Sequence, residues 1–125
     1  DDERREVRLR AIAVACGDDS AAVRTRSVQL AAVAGISAPA FWRAAVADAD
    51  RMVRRAAANA CVKLKRRDFG QLLLAAVEVE PDPDVFLALH VSLGKLLGVP
   101  PTSCDPHKSE DRQRAILHWR RQCAK

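Results

Sequence analysis

"DADRMVRRAAANACVKL", residues 48–64, decides how the chain is read. Asp48 stands six residues ahead of Arg54, Val53 comes just before that arginine, and a run of alanine follows. Small or apolar residues then fall at Ala57, Ala60, Cys61 and Leu64, steps that put them on one face of an α-helix. The same arrangement occurs thirty residues earlier, where Asp18 precedes Val23-Arg24 and Ser27, Leu30, Ala31 and Ala34 take the matching positions. It returns thirty-two residues later: Glu80 precedes Val85-Phe86, and Leu89, Ser92, Leu93 and Leu96 follow. A face recurring at this period marks stacked helical units.

A shorter helical pattern precedes each long one. Residues 3–16 carry Val7, Leu9, Ile12, Ala13 and Cys16. Residues 39–47 carry Phe41, Trp42, Ala45 and Val46, with Pro39 suited to a first helical turn. Residues 67–79 carry Phe69, Leu72, Leu73, Ala76 and Val77. The partners are joined by acid-rich turns, "GDDS" at 17–20, "DAD" at 48–50 and "EPDPD" at 80–84. Asp and Ser in such turns cap the next helix and complement its positive end. The pattern predicts an all-α chain: an α-solenoid of about three antiparallel helical hairpins, at roughly 1–35, 36–65 and 66–98. Residues 99–125 break the period. Pro100, Pro101 and Pro106 predict an extended linker, and Ser109 opens a last helix with Ala115, Ile116 and Trp119 along one side. That helix is expected to cap the apolar end of the stack. Composition agrees, since 49% of residues are apolar but only 4% aromatic, with alanine prominent and strand signals weak.

Over residues 3–98 the sequence resembles the HEAT repeat family, including its short bacterial forms, through Asp18 with Val23-Arg24 and Asp48 with Val53-Arg54. The resemblance implies that turn aspartates and arginines form a ladder of hydrogen bonds between neighbouring units. Glu80 and Phe86 depart from the pattern, so the ladder is expected to end at the third unit. The run from Arg112 to Arg120 looks like a closing segment that follows bacterial HEAT arrays.

Net charge is +5, a modest excess of 21 bases over 16 acids, which permits an anionic partner without requiring one. No apolar run is long enough to span a membrane, and none is expected to. Cys16, Cys61, Cys104 and Cys123 are widely spaced and are expected as reduced thiols, a usage that leans toward the cytoplasm. The chain opens on Asp1 without a signal-peptide pattern and reads as a processed or excised piece.

Chemistry-bearing motifs are few. Cys104, His107, His118 and Cys123 offer metal-ligand residue types, but His118 and Cys123 are five apart on one helix and point to different faces. His90 falls on an apolar helical face with no nucleophile near it in sequence, which predicts a structural role. No phosphate loop or hydrolase motif occurs, so neither catalysis, nor a metal, nor a cofactor is expected. Binding is the remaining class. If the long helices line an inner face, Thr25, Arg26 and Gln29, then Arg55, Asn59 and Lys63, then Leu87, Val91 and Lys95 project from it, with Arg26, Arg55, Lys63 and Lys95 expected at equivalent positions that make one continuous stripe. The leading expectation is a scaffold that holds an acidic or mixed protein segment on Arg26, Gln29, Arg55, Asn59, Lys63, Val91 and Lys95. Nucleic-acid binding on the same basic surface, and a structural end-piece of a longer array, are the alternatives.

Overall fold

The computed structural model describes residues 2–125, apart from the side chains of residues 13 and 14. The described residues form seven α-helices: α1 (Asp2–Cys16), α2 (Ala21–Val33), α3 (Pro39–Ala45), α4 (Arg51–Cys61), α5 (Gly70–Val79), α6 (Pro83–Leu97) and α7 (Ser109–Cys123). Short 3₁₀ turns at Val62–Leu64 and Arg67–Phe69 join α4 to α5, and no described residue lies in a strand.

Helix starts follow the cap residues of the acid-rich turns. The Ser20 hydroxyl accepts the Val23 N–H at 3.4 Å. Asp50 accepts from Met52 and Val53 at 2.8 and 3.3 Å, and Asp82 from Asp84 and Val85 at 2.9 and 3.0 Å. Each bond satisfies an amide that the helix itself leaves open. Helix α6 stops at Gly98, whose φ of 68° is left-handed and open to glycine without strain.

Packing runs in succession, α2 on α4 and α4 on α6, while α1, α3 and α5 lie against α2, α4 and α6 respectively. Ala31, Ala57 and Ala58 are fully buried, and such small side chains let the long helices approach closely. The approach brings the Ser92 hydroxyl of α6 to 2.9 Å from the Ala58 carbonyl of α4. Trp42, Phe69, Leu73, Leu89 and Leu93 fill the layer between long and short helices.

Arginines tie each turn to the next. Arg24 Nη1 donates to the carbonyls of Asp18 and Asp19 at 2.8 and 3.1 Å, while Nε and Nη2 reach forward to the Asp48 carboxylate, each at 3.1 Å. Arg54 repeats this one unit on: Nη1 donates to the carbonyls of Asp48 and Ala49, and Nε and Nη2 hold the Glu80 carboxylate at 2.9 Å. The carboxylates finish the turns by accepting backbone N–H groups, Asp48 from Asp50 at 2.9 Å and Glu80 from Asp82 at 3.1 Å. Burial alone would raise the Asp48 carboxyl, but the Arg24 ion pair, the Asp50 amide and the charge of Arg54 together hold it below its ordinary range.

The third unit corrects the expectation that this ladder ends at Phe86. Arg112, from α7, supplies the missing guanidinium: Nη1 donates to the Glu80 carbonyl at 3.2 Å, Nη2 to the Pro81 carbonyl at 3.4 Å, and Nε to Pro106. Its guanidinium lies 5.0 Å from the centre of the Phe86 ring. An aromatic at that position therefore gives the incoming arginine a face to stack on, in place of an arginine of its own.

Helix α7 closes the α5–α6 end. Trp119 and Ala115 are fully buried, and Arg120 pairs with Glu78 of α5 at 2.7 Å. The Trp119 indole N–H donates to His90 Nδ1 at 2.8 Å, and His90 Nε2 lies 2.6 Å from the Thr102 carbonyl of the linker. An indole N–H only donates and a carbonyl only accepts, so His90 is neutral with its proton on Nε2. The linker also crosses directly over Gly94, where an added Cβ would stand 2.9 Å from the Val99 carbonyl.

The opposite end differs. Val7, expected on the apolar side of the first helix, is 61% exposed, and Leu30 of α2 is 41% exposed. Leu30 matches Ala60 and Ser92 in the repeat, which are buried because a preceding long helix covers them. Among the described residues no long helix covers that side of α2. The side chain of Ala13, expected among the apolar positions, lies outside those described.

Two measurements test this account. Glu80 has only 2% of its side chain exposed, so Arg54→Ala leaves a buried carboxylate unpaired and should cost about 3 kcal/mol in urea denaturation. Exposed Arg121→Ala should change stability by less than about 0.5 kcal/mol; equal losses would mean the rung carries no stability. The second concerns His118, whose imidazole is held below its ordinary value by burial and then by the charges of Arg121 and Lys125. The unfolded chain takes up that proton near pH 6.5, so stability is complete above this pH and declines as pH falls toward the folded value. His118→Gln should flatten that decline while leaving intact the acid limb below about pH 4, where Asp48 loses its charge.

Candidate binding surface

The side chains singled out for binding lie on the exposed sides of the three long helices, with the exception of Lys63. On α2, Arg26 and Gln29 are exposed and border a shallow depression of about 420 Å³ shared with Thr25 and with Asp50 and Met52 at the start of α4. On α4, Arg55 and Asn59 are exposed. Lys63 is also exposed but belongs to the 3₁₀ turn Val62–Leu64 rather than to the helix. On α6, Leu87 and Val91 are 39% and 38% exposed, and Lys95 follows one turn later.

The register of these residues differs in one respect from the sequence expectation. Counted from Val23, Val53 and Val85, Arg26 matches Ala56, which is buried, and Ala88, which is half-buried. Arg55 instead matches Thr25 and Leu87. The equivalent rows are thus Thr25–Arg55–Leu87, Gln29–Asn59–Val91 and Val33–Lys63–Lys95. A helix position that is small where it meets a preceding helix can be long where it meets none, which accounts for an arginine at 26.

Charge is distributed unevenly over this surface. At its edge, Arg51 bridges from α4 to Asp82, the residue that caps α6, at 3.2 Å and to Asp84 in its first turn at 3.8 Å. Arg24 and Arg54 are spent on the turns. Arg26, Arg55, Lys63 and Lys95 have no ion-pair partner among the described residues, so their charge is presented to solvent.

A second concavity escaped the sequence reading. A groove of about 450 Å³ runs between α3 and α5, walled by Val46, Ala47, Leu72, Ala76 and Val79, with the Arg54–Glu80 pair at its edge. Its origin is the small size of Ala47, Ala75 and Ala76, together with an α3 of only seven residues. Alanines scored as helix formers hid the gap they leave.

Cys123 packs near Gly70 and His118 stacks edge-on against Trp119, with ring centres 4.6 Å apart. Among the described residues no three His, Cys, Asp or Glu side chains are gathered as metal ligands. His90 is buried and bonded at both ring nitrogens. Burial pushes the Cys61 thiol up to about 12, and raises Cys16, Cys104 and Cys123 as well. No described helix is long and apolar enough to cross a membrane.

No protein-family model, curated protein or solved structure matches the chain.

A thiol needs its thiolate to react. At pH 7, Cys61 should therefore resist a chromogenic disulfide reagent until the chain unfolds, while the half-buried Cys16, Cys104 and Cys123 should react slowly. Immediate release from all four thiols in the native state would contradict the burial described.

Proposed function

We propose that the chain is a non-enzymatic binding module, a HEAT-like α-solenoid that holds an acidic or mixed peptide segment across the exposed faces of α2, α4 and α6. The observation that carries this reading is the set of unpaired cations, Arg26, Arg55, Lys63 and Lys95, beside exposed Leu87 and Val91. The solenoid reading is supported by the succession of α2, α4 and α6 and by arginines that join each turn to the next, as the HEAT resemblance implies. Successive long helices present one extended surface suited to an extended ligand. Cations there orient an acidic chain, and the apolar patch on α6 anchors a hydrophobic side chain.

Nucleic acid is the rival occupant, favoured by the same unpaired cations. Apolar Met52, Leu87 and Val91 between them, and the acids Asp82 and Asp84 at the edge, favour the peptide.

The test uses two labelled probes, an acidic peptide with spaced leucines and a random-sequence DNA duplex of about two turns. The joint substitution of Arg55→Glu and Lys63→Glu should weaken peptide binding by about tenfold with unchanged helicity. Val91→Asp should weaken the peptide and spare the duplex. Tight duplex binding whose affinity falls with salt at about −0.9 per phosphate contacted would instead assign the surface to nucleic acid. Peptide binding untouched by these substitutions would move the site elsewhere, with the α3–α5 groove next in line.

A further inference from the structure

The ladder frames a similar space twice on the side of the short helices, and the two spaces differ in size. Beside the Arg24–Asp48 pair, Cys16, Phe41 and Ala44 border a hollow of about 130 Å³. Beside the Arg54–Glu80 pair, the groove between α3 and α5 opens to about 450 Å³. An aromatic side chain, Phe41, borders the first, whereas Leu72, Ala75 and Ala76 border the second. Small-ligand sites begin at about 300 Å³, so of the two only the α3–α5 groove has the room.

Its walls are aliphatic. Leu72, Ala75, Ala76 and Val79 share one side of α5 and make a wall about 10 Å long. Val79, at the end of that wall, is 79% exposed. The acids that border the groove are already engaged: Glu80 by Arg54 and the Asp82 amide, Asp48 by Arg24 and the Asp50 amide. Arg43 is different. It borders the groove from α3, is exposed, and has neither an ion-pair nor a hydrogen-bond partner among the described residues. The Arg54 rung holds the turns after α3 and α5 side by side, so both acids and Pro81 lie at that end. Arg43 stands five residues before Asp48, more than a helical turn away from it.

We propose that the α3–α5 groove binds a small aliphatic carboxylate, a medium-chain acid whose head pairs with Arg43 and whose chain lies along Ala76 and Val79 toward Pro81. Charge sets the class and the direction of the ligand. Of the two arginines that border the groove, only Arg43 lacks a carboxylate, so an anionic head is drawn there and kept from the acids at the turn end. A cationic ligand finds both acids already held by two arginine N–H groups each, and a polar body finds only aliphatic walls. The groove is open along one side, which leaves part of the chain in water and sets dissociation on the order of 0.1 mM. This inference is independent of the peptide-binding reading, because the groove shares no residue with the surface that carries Arg55 and Lys63.

Titration of the isotope-labelled full chain with octanoate, decanoate and 1-octanol, followed through its amide resonances, tests it. Octanoate should saturate and shift the amides of Ala47, Ala76 and Val79 while those of Arg55 and Lys63 stay in place. Decanoate should bind up to about tenfold more tightly through its longer buried chain, and 1-octanol about fivefold more weakly for want of a charge. Arg43→Gln should remove the advantage of the acid over the alcohol, whereas Arg26→Gln, on the other surface, should leave it. Ala75→Leu, at an exposed helical position, should fill the groove and weaken both ligands by about tenfold with unchanged helicity. Octanoate that fails to saturate, or that binds no better than 1-octanol, overturns the proposal. So does an Arg43→Gln chain that still prefers the acid. If the acidic peptide moves the amides of Ala47, Ala76 and Val79 and octanoate does not, the groove belongs to a protein segment and the proposal falls.

Discussion

A guanidinium carries five N–H donors in one plane, and Arg54 uses them in two directions at once. One edge satisfies the carbonyls of Asp48 and Ala49, which end the turn before α4; the other grips Glu80, which begins the next turn. A turn between antiparallel helices leaves carbonyls and amides without helical partners, and here they lie between units, part-buried or at the surface. Arginine answers the carbonyls and the acid answers the amides. The ion pair then fixes the spacing of one unit against the next, a task that alanine packing cannot perform because alanine faces slide past each other at little cost.

The same constraint explains the choice of acid. Glu80 is longer than Asp48 by one methylene, and the second interval is thirty-two residues where the first is thirty. Pro81 and Pro83 stiffen this longer turn, and Asp82 caps α6 from within it. With Phe86 in the arginine position, the carbonyls of Glu80 and Pro81 would have stayed open had α7 not brought Arg112 to them.

Much of this was legible in the sequence because the fold repeats. Three copies of acid, Val and a small-residue face give three readings of one pattern, and the helix starts follow from Ser20, Asp50 and Asp82 by local rules. What the sequence hid were consequences of position within the array. Arg112 joins the ladder from thirty-two residues beyond Glu80, and no local pattern connects the two. Leu30 looks like a core residue because its equivalents are, yet its exposure depends on which helices precede it. The candidate surface was legible as a set of residues but not as a register, since Arg26 and Arg55 read as equivalent until the burial of Ala56 separates them. The α3–α5 groove was invisible because it is made of what is missing, side-chain volume at Ala47, Ala75 and Ala76.

His90 does more than fill space beneath Trp119. It touches both the linker, at Thr102, and the capping helix, at Trp119, and it serves both only as a neutral ring with one particular nitrogen protonated. Neither asparagine nor glutamine has an acceptor and a donor placed in the same directions, and an aliphatic side chain would strand an indole N–H and a carbonyl together. The lock between linker and cap is thus a two-sided joint with a single chemical solution among the common side chains. The closing segment is attached through that joint as well as by its buried tryptophan, so linker and helix should dock and release as one piece.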